Sequence, residues 1–87
     1  MKSHTYHIVY QAEPEGGYTV MVPALQGCVT YGQTIEEART MAKDAITGYL
    51  SSLRKHNERI PSDQRTLVDT VEVRGHSSKL RKSPAYA

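Results

Sequence analysis

Four histidines, one cysteine and nine carboxylates are the side chains of this 87-residue chain suited to acid–base, nucleophilic or metal chemistry. His4 and His7 are three apart in a segment that reads as a strand. They therefore point to opposite faces and cannot hold one ion together. His56 follows Arg54 and Lys55 at the end of a helical pattern, where cations complement the negative end of the helix dipole. None of the four, His76 included, is assigned a catalytic or metal role. Cys28 has no partner at CxxC spacing and reads as a small buried hydrophobe. A lone cysteine forms no internal disulfide, so a reducing, cytoplasmic setting is expected.

Phosphate chemistry would need cations, and these are unevenly placed. Arg74, Lys79, Arg81 and Lys82 lie in a final stretch that contains no acid. The other seven Lys and Arg share residues 1–73 with all nine Asp and Glu, so a body of net charge −2 carries a tail of +4. A mildly acidic body disfavours nonspecific nucleic-acid binding over most of its surface. The four tail cations are the candidate nucleic-acid contacts, set against the plainer reading of a solvated terminus. Tyr6, Tyr10 and Tyr18 have the chemistry to stack on RNA bases. The chain has no Phe or Trp, so these rings are expected to fill the core instead.

Short elements must position these groups. His4–Ala12 reads as a first strand, with Tyr6, Ile8 and Tyr10 on one face and His7, Val9 and Gln11 on the other. Pro14-Glu15-Gly16-Gly17 is a turn, and so short a loop pairs its flanking strands antiparallel. Tyr18–Val22 is the second strand, stopped by Pro23. Cys28–Tyr31 is the third, ended by Gly32. Thr34 and Glu37 form a capping box in which the Thr34 hydroxyl accepts the Glu37 N–H and the Glu37 carboxylate returns to the Thr34 N–H. A helix follows from Ile35 to about Lys55, with Ile35, Ala38, Ala42, Ala45, Ile46, Tyr49 and Leu53 as its apolar stripe. Gly48 in its interior suggests close approach of another backbone. Asn57 suits a left-handed helix end, and Pro61 forbids continuation. Arg65–Val73 reads as a fourth strand.

The expected fold is thus α+β, a two-layer βββαβ unit over residues 1–73 followed by a basic arm at 74–87. A right-handed crossover sets the fourth strand parallel to the first. The four-stranded mixed sheet then has the order 3-2-1-4, with one helix on one face. This is the element order of the ribonuclease H fold, whose two-metal enzymes gather several carboxylates around ions about 4 Å apart. In that fold one essential acid sits inside the first strand, and His4–Ala12 has none. Glu13 and Glu15 lie in a turn, Asp69 is alone in the last predicted strand, and Glu37 is committed to the cap. The chain is therefore read as a non-enzyme with no metal and no cofactor. A helix covers only one sheet face, so Val9, Met21 and Val29 on the other ask for a partner, and a homodimer or higher oligomer is expected. No apolar run is long enough to span a bilayer, and MKSHTYH lacks the pattern of a signal peptide.

Pro23, Leu25, Gly27, Cys28, Thr30, Gly32, Thr34, Glu37 and Ala38 form an ordered set that resembles the HicB-type antitoxins. Their pattern is a strand, a Pro-x-Leu-x-Gly-Cys turn and a Thr-x-Gly-x-Thr-x-x-Glu-Ala helix entry. The resemblance takes in the first strand, the helix and the Ile60-Pro61 exit, and fades after about Pro61. Nothing like the longer members' C-terminal DNA-binding module follows. The resemblance implies a degraded ribonuclease H-like fold and an antitoxin role. The implied partner is a small basic HicA-like toxin that cleaves mRNA and has a double-stranded-RNA-binding-like fold, neutralised when its catalytic surface is covered. Glu13 and Glu15 are the candidate toxin-facing acids, and an acidic body suits a basic partner. The alternative is an orphan HicB-like oligomer that binds nucleic acid or another protein through its basic tail.

Overall fold

The computed structural model describes residues 3–75. Lys79, Arg81, Lys82 and His76 lie outside these residues, as does most of the basic arm. The element order is β1 (Val9–Ala12), β2 (Tyr18–Met21), β3 (Val29–Gly32) and α1 (Ile35–Lys55). The strands form an antiparallel sheet of order β1-β2-β3, and α1 packs across one face.

Two turns fix the sheet. At the first, Gly16 and Gly17 take φ of +111° and +83°, and the Glu13 N–H donates to the Gly17 carbonyl at 3.0 Å. The second connection is a pair of consecutive turns. The Leu25 N–H donates to the Val22 carbonyl and the Cys28 N–H to the Leu25 carbonyl, at 3.0 and 2.9 Å. Pro23 presets φ in the first of these turns. Gly27 takes φ of +80° in the second. Between them Leu25 is driven into the core, only 1% exposed.

The helix entry follows the residues. The Thr34 hydroxyl accepts the Glu37 N–H at 3.0 Å. The Glu37 carboxylate reaches back one residue further than the box requires, to the Gln33 N–H at 2.6 Å. Gly32 and Ala38 are a matched pair, because a Cβ at Gly32 would collide with the Ala38 backbone. The helix ends in a Schellman motif. Asn57 is left-handed at φ 57°, the Glu58 N–H donates to the Leu53 carbonyl at 2.8 Å, and the Asn57 N–H to Arg54 at 3.1 Å.

The core lies between sheet and helix in two patches. Val22, Leu25, Cys28 and Leu50 form one, flanked by Tyr6, Ile8, Ile46, Tyr49, Leu53 and Ile60. Val20, Ala38 and Ala42 form the other, flanked by Ile8, Tyr10 and Tyr18. Tyr6, Tyr10 and Tyr18 thus serve the core. Leu50 joins the expected helical stripe, whereas Ile35 at its start is 44% exposed.

Three expectations are corrected. The sheet has three strands among the described residues, and the fourth strand of the mixed order 3-2-1-4 is not formed among them. Arg65–Val73 instead leaves Leu67, Val68, Val71 and Val73 exposed by 65–90%. Locally, Asp69 Oδ1 takes the Thr70 N–H at 2.7 Å, a side-chain bond that competes with a ladder. Second, β1 begins at Val9 rather than His4. Residues before it bond to the segment after the helix: the His7 N–H donates to Asp63 Oδ2 at 2.8 Å and the Tyr6 hydroxyl to the Pro61 carbonyl at 2.7 Å. Third, no backbone among the described residues closely approaches Gly48, where a Cβ would meet open space.

Candidate functional site

The sheet has one covered face and one open face, and the register says which residues share the open one. Val9 pairs with Met21 and Met21 with Val29, so these three line up in a row across the strands. Gln11, Thr19 and Tyr31 form the next row of the same face, because residues two apart point alike. Val29 is 57% exposed, Tyr31 42% and Met21 36%. Tyr31 is held flat across the hairpin. Its hydroxyl donates to the Gly16 carbonyl at 2.9 Å and accepts from Gln33 Nε2 at 3.2 Å, and its ring occupies the space a Cβ at Gly17 would need. None of the three strands contains a charged residue. The result is a shallow, apolar-centred surface with polar groups beside it, a composition suited to binding a protein.

The stretch of chain that carries the sheet has charge of one sign. Between Ser3 and Ala38 the charged residues are Glu13, Glu15, Glu36 and Glu37, with no Lys or Arg. Glu13 is tied to the open face, since its Oε2 accepts the Thr19 hydroxyl at 2.6 Å. Glu15 is exposed at the tip of the same hairpin. Thus the structure brings Glu13 and Glu15 to the hairpin end of the open face. Arg74 is exposed near the other end of the described chain, with the remaining tail cations outside it. The nine motif residues are placed differently. Leu25, Cys28, Gly32 and Ala38 are buried, and Pro23, Gly27, Thr34 and Glu37 shape turns and the cap. Thr30 shares the helix-facing side with Val20, its register partner.

Sequence reasoning missed two features. Tyr31 sits on the open face, and its period-two relation to Val29 was the available signal. The other is His7 with Asp63, whose Nδ1 and Oδ2 are 2.5 Å apart. Asp63 is only 8% exposed, and its Oδ1 makes no hydrogen bond. Burial works against ionisation of Asp63, but hydrogen bonding from His7 and Thr66 outweighs it and holds the carboxyl below its ordinary range. Fifty-six residues separate the two in sequence, so no local pattern announces the pair. It latches the start of the chain to the segment after α1.

Cys28 is buried and free, and burial pushes its thiol upward, away from the reactive thiolate. Among the described residues no group of three or more His, Cys, Asp or Glu is placed to hold a metal ion. No helix among them is long and apolar enough to cross a membrane.

A family model described as the HicB-like antitoxin of a bacterial toxin–antitoxin system matches residues 6–79. That match runs past Pro61, where the motif resemblance fades, and includes the whole of Arg65–Val73. A UPF0150 protein of Thermoplasma acidophilum is 48% identical over 58 residues, 67% of this chain and 84% of that protein. A UPF0150 protein of Helicobacter pylori is 36% identical over 59 residues, 68% of this chain and 82% of that one. Antitoxin HicB 1 of Photorhabdus laumondii is 34% identical over 73 residues, covering 84% of this chain but 47% of the antitoxin.

Proposed function

The chain belongs to the HicB-like antitoxin family of bacterial toxin–antitoxin systems, and we propose that it neutralises a basic, HicA-like mRNA-cleaving toxin in the cytoplasm by covering its active surface. The observation that carries this reading is the sheet-bearing stretch from Ser3 to Ala38, which holds no Lys or Arg. Its uncharged open face is centred on Val9, Met21 and Val29, with Glu13 and Glu15 at one end. A basic RNA-cleaving protein must display cations to hold phosphates. Those cations complement the acids of the hairpin, which speeds encounter and orients docking. Desolvation of the apolar row then supplies the durable part of the affinity. Bound in this way, the chain excludes RNA by occupying the same cationic surface, and it does so by binding rather than catalysis.

The test is RNA cleavage by a purified HicA-like toxin from a neighbouring reading frame. Stoichiometric addition of this chain should abolish cleavage, and rising salt should slow the onset of inhibition. Cleavage that continues at full rate with the chain in excess would refute the role.

A further inference from the structure

We propose that Arg65–Val73 is a strand supplied in trans: it adds to the free β1 edge of a second copy of this chain, which returns its own segment in exchange. The inference does not rest on the toxin reading, because it concerns how two copies complete each other, although both draw on the acids of the first hairpin.

The segment has the composition of a strand and lacks a strand's partners. Thr70-Val71-Glu72-Val73 alternates polar and apolar residues, and Leu67, beyond Asp69, lies on the same side as Val71 and Val73. Leu67 is 90% exposed, Val71 78% and Val73 80%. Among the described residues, positions 67–75 make no backbone–backbone hydrogen bond. Paired backbone and covered apolar side chains are the ordinary state of such a stretch. The family match extends through residue 79, so this stretch belongs to the domain and is not an appended linker.

An acceptor of the right kind is present. β1 is an edge strand. Glu13 and Gly17 are a hydrogen-bonded pair at the hairpin end, so in this register the odd residues of β1 bond to β2. The N–H and C=O groups of Tyr10 and Ala12 therefore face the open side, as an unprotected template.

The path of the chain selects a second copy. Asp63 is fixed beside His7 by the 2.8 Å bond from the His7 N–H. A turn follows, in which the Thr66 N–H donates to the Asp63 carbonyl at 3.1 Å. Thr66, Leu67 and Val68 then line one groove with Ser3, His4 and Thr5. The segment thus passes the residues that precede β1 and does not run alongside Val9–Ala12. A βββαβ sequence whose last strand leaves its own sheet is completed by reciprocal exchange, which closes a two-fold dimer without inventing new contacts. Charge agrees with this choice. In a parallel register Arg74 lies toward the hairpin end of β1, where Glu13 and Glu15 provide the opposite sign.

The experiment compares the full-length chain with Thr70→Pro. Proline removes one ladder donor and fixes φ, at a site exposed and outside every regular element. Light scattering should give the mass of two chains for the parent and one for the variant, with equal helical circular dichroism. Hydrogen exchange at Tyr10, Ala12 and residues 67–73 should be slow in the parent, should quicken on dilution, and should be fast in the variant. A parent that stays monomeric at high concentration overturns the proposal. So does a Thr70→Pro dimer. Protection that is independent of concentration also overturns it, because the fourth strand would then be the chain's own. Protection appearing only when a toxin is added to a monomer would assign the edge to that protein instead.

Discussion

At the scale of single residues, Asp63 is the clearest case of chemistry used for structure. Its carboxylate is buried, accepts both the backbone N–H and the ring nitrogen of His7, and is held below its ordinary pKa. A depressed folded-state value means that the unfolded chain binds the proton more readily. The contribution to stability is therefore complete above the ordinary aspartate value, near pH 4. It is lost as the pH falls through the lower folded-state value. Asp63→Asn should cost about 1 kcal/mol at neutral pH, a modest figure because the His7 ring is half exposed to solvent. It should also flatten the acid limb of a melting-temperature profile. Parent and variant profiles that run parallel from pH 6 to pH 2 would show that the latch carries no such linkage.

At the scale of elements, two glycines separate close approach from mere presence. Gly32 has the Ala38 backbone where its Cβ would stand, whereas Gly48 faces open space within α1. Gly32→Ala should therefore destabilise by about 1–3 kcal/mol through overpacking. Gly48→Ala should stabilise by about 0.5–1 kcal/mol through helix propensity. Thermal melts of the two variants check this, and equal shifts would contradict it. The helix and the first two turns were legible in the sequence because their signals are local. Thr34, Glu37 and Asn57 mark ends through bonds to residues a few positions away, and Gly16, Gly17 and Gly27 mark positive φ. The period of three to four that placed Ala38 and Ala42 in the core is equally local. Arg65–Val73 has the residue pattern of a strand, yet the structure leaves it outside any sheet. Whether a strand finds an edge in its own sheet depends on the exit at Pro61–Thr66 and on a partner, neither of which a residue pattern encodes. The early start assigned to β1 failed for a similar reason. His7 and Tyr6 have strand-like neighbours, yet their hydrogen bonds go to residues more than fifty positions away.

At the scale of the whole molecule, the small net charge of +2 conceals separate regions. The stretch from Ser3 to Ala38, without Lys or Arg, carries the sheet and its open face, the first Arg appears at position 39 in α1, and four cations follow Val73. The motif residues build the fold, with Leu25, Cys28 and Ala38 in the core. Function is therefore to be sought on the surface this scaffold displays. The candidate acids Glu13 and Glu15 were legible as the only charges of the first hairpin. The row of Val9, Met21 and Val29 was legible from strand alternation, and the same alternation, two residues on from Val29, was the signal that places Tyr31 on that face. Calorimetric titration of the toxin into the parent chain and into Met21→Glu tests the central claim most directly. Met21 is the middle of the apolar row and already partly exposed, so the substitution should leave the fold and melting temperature nearly unchanged. A charge at the centre of a desolvated contact should weaken binding by about a hundredfold or more, equivalent to about 3 kcal/mol. Unchanged affinity in a folded Met21→Glu chain would contradict the account and move the toxin site off the open sheet face.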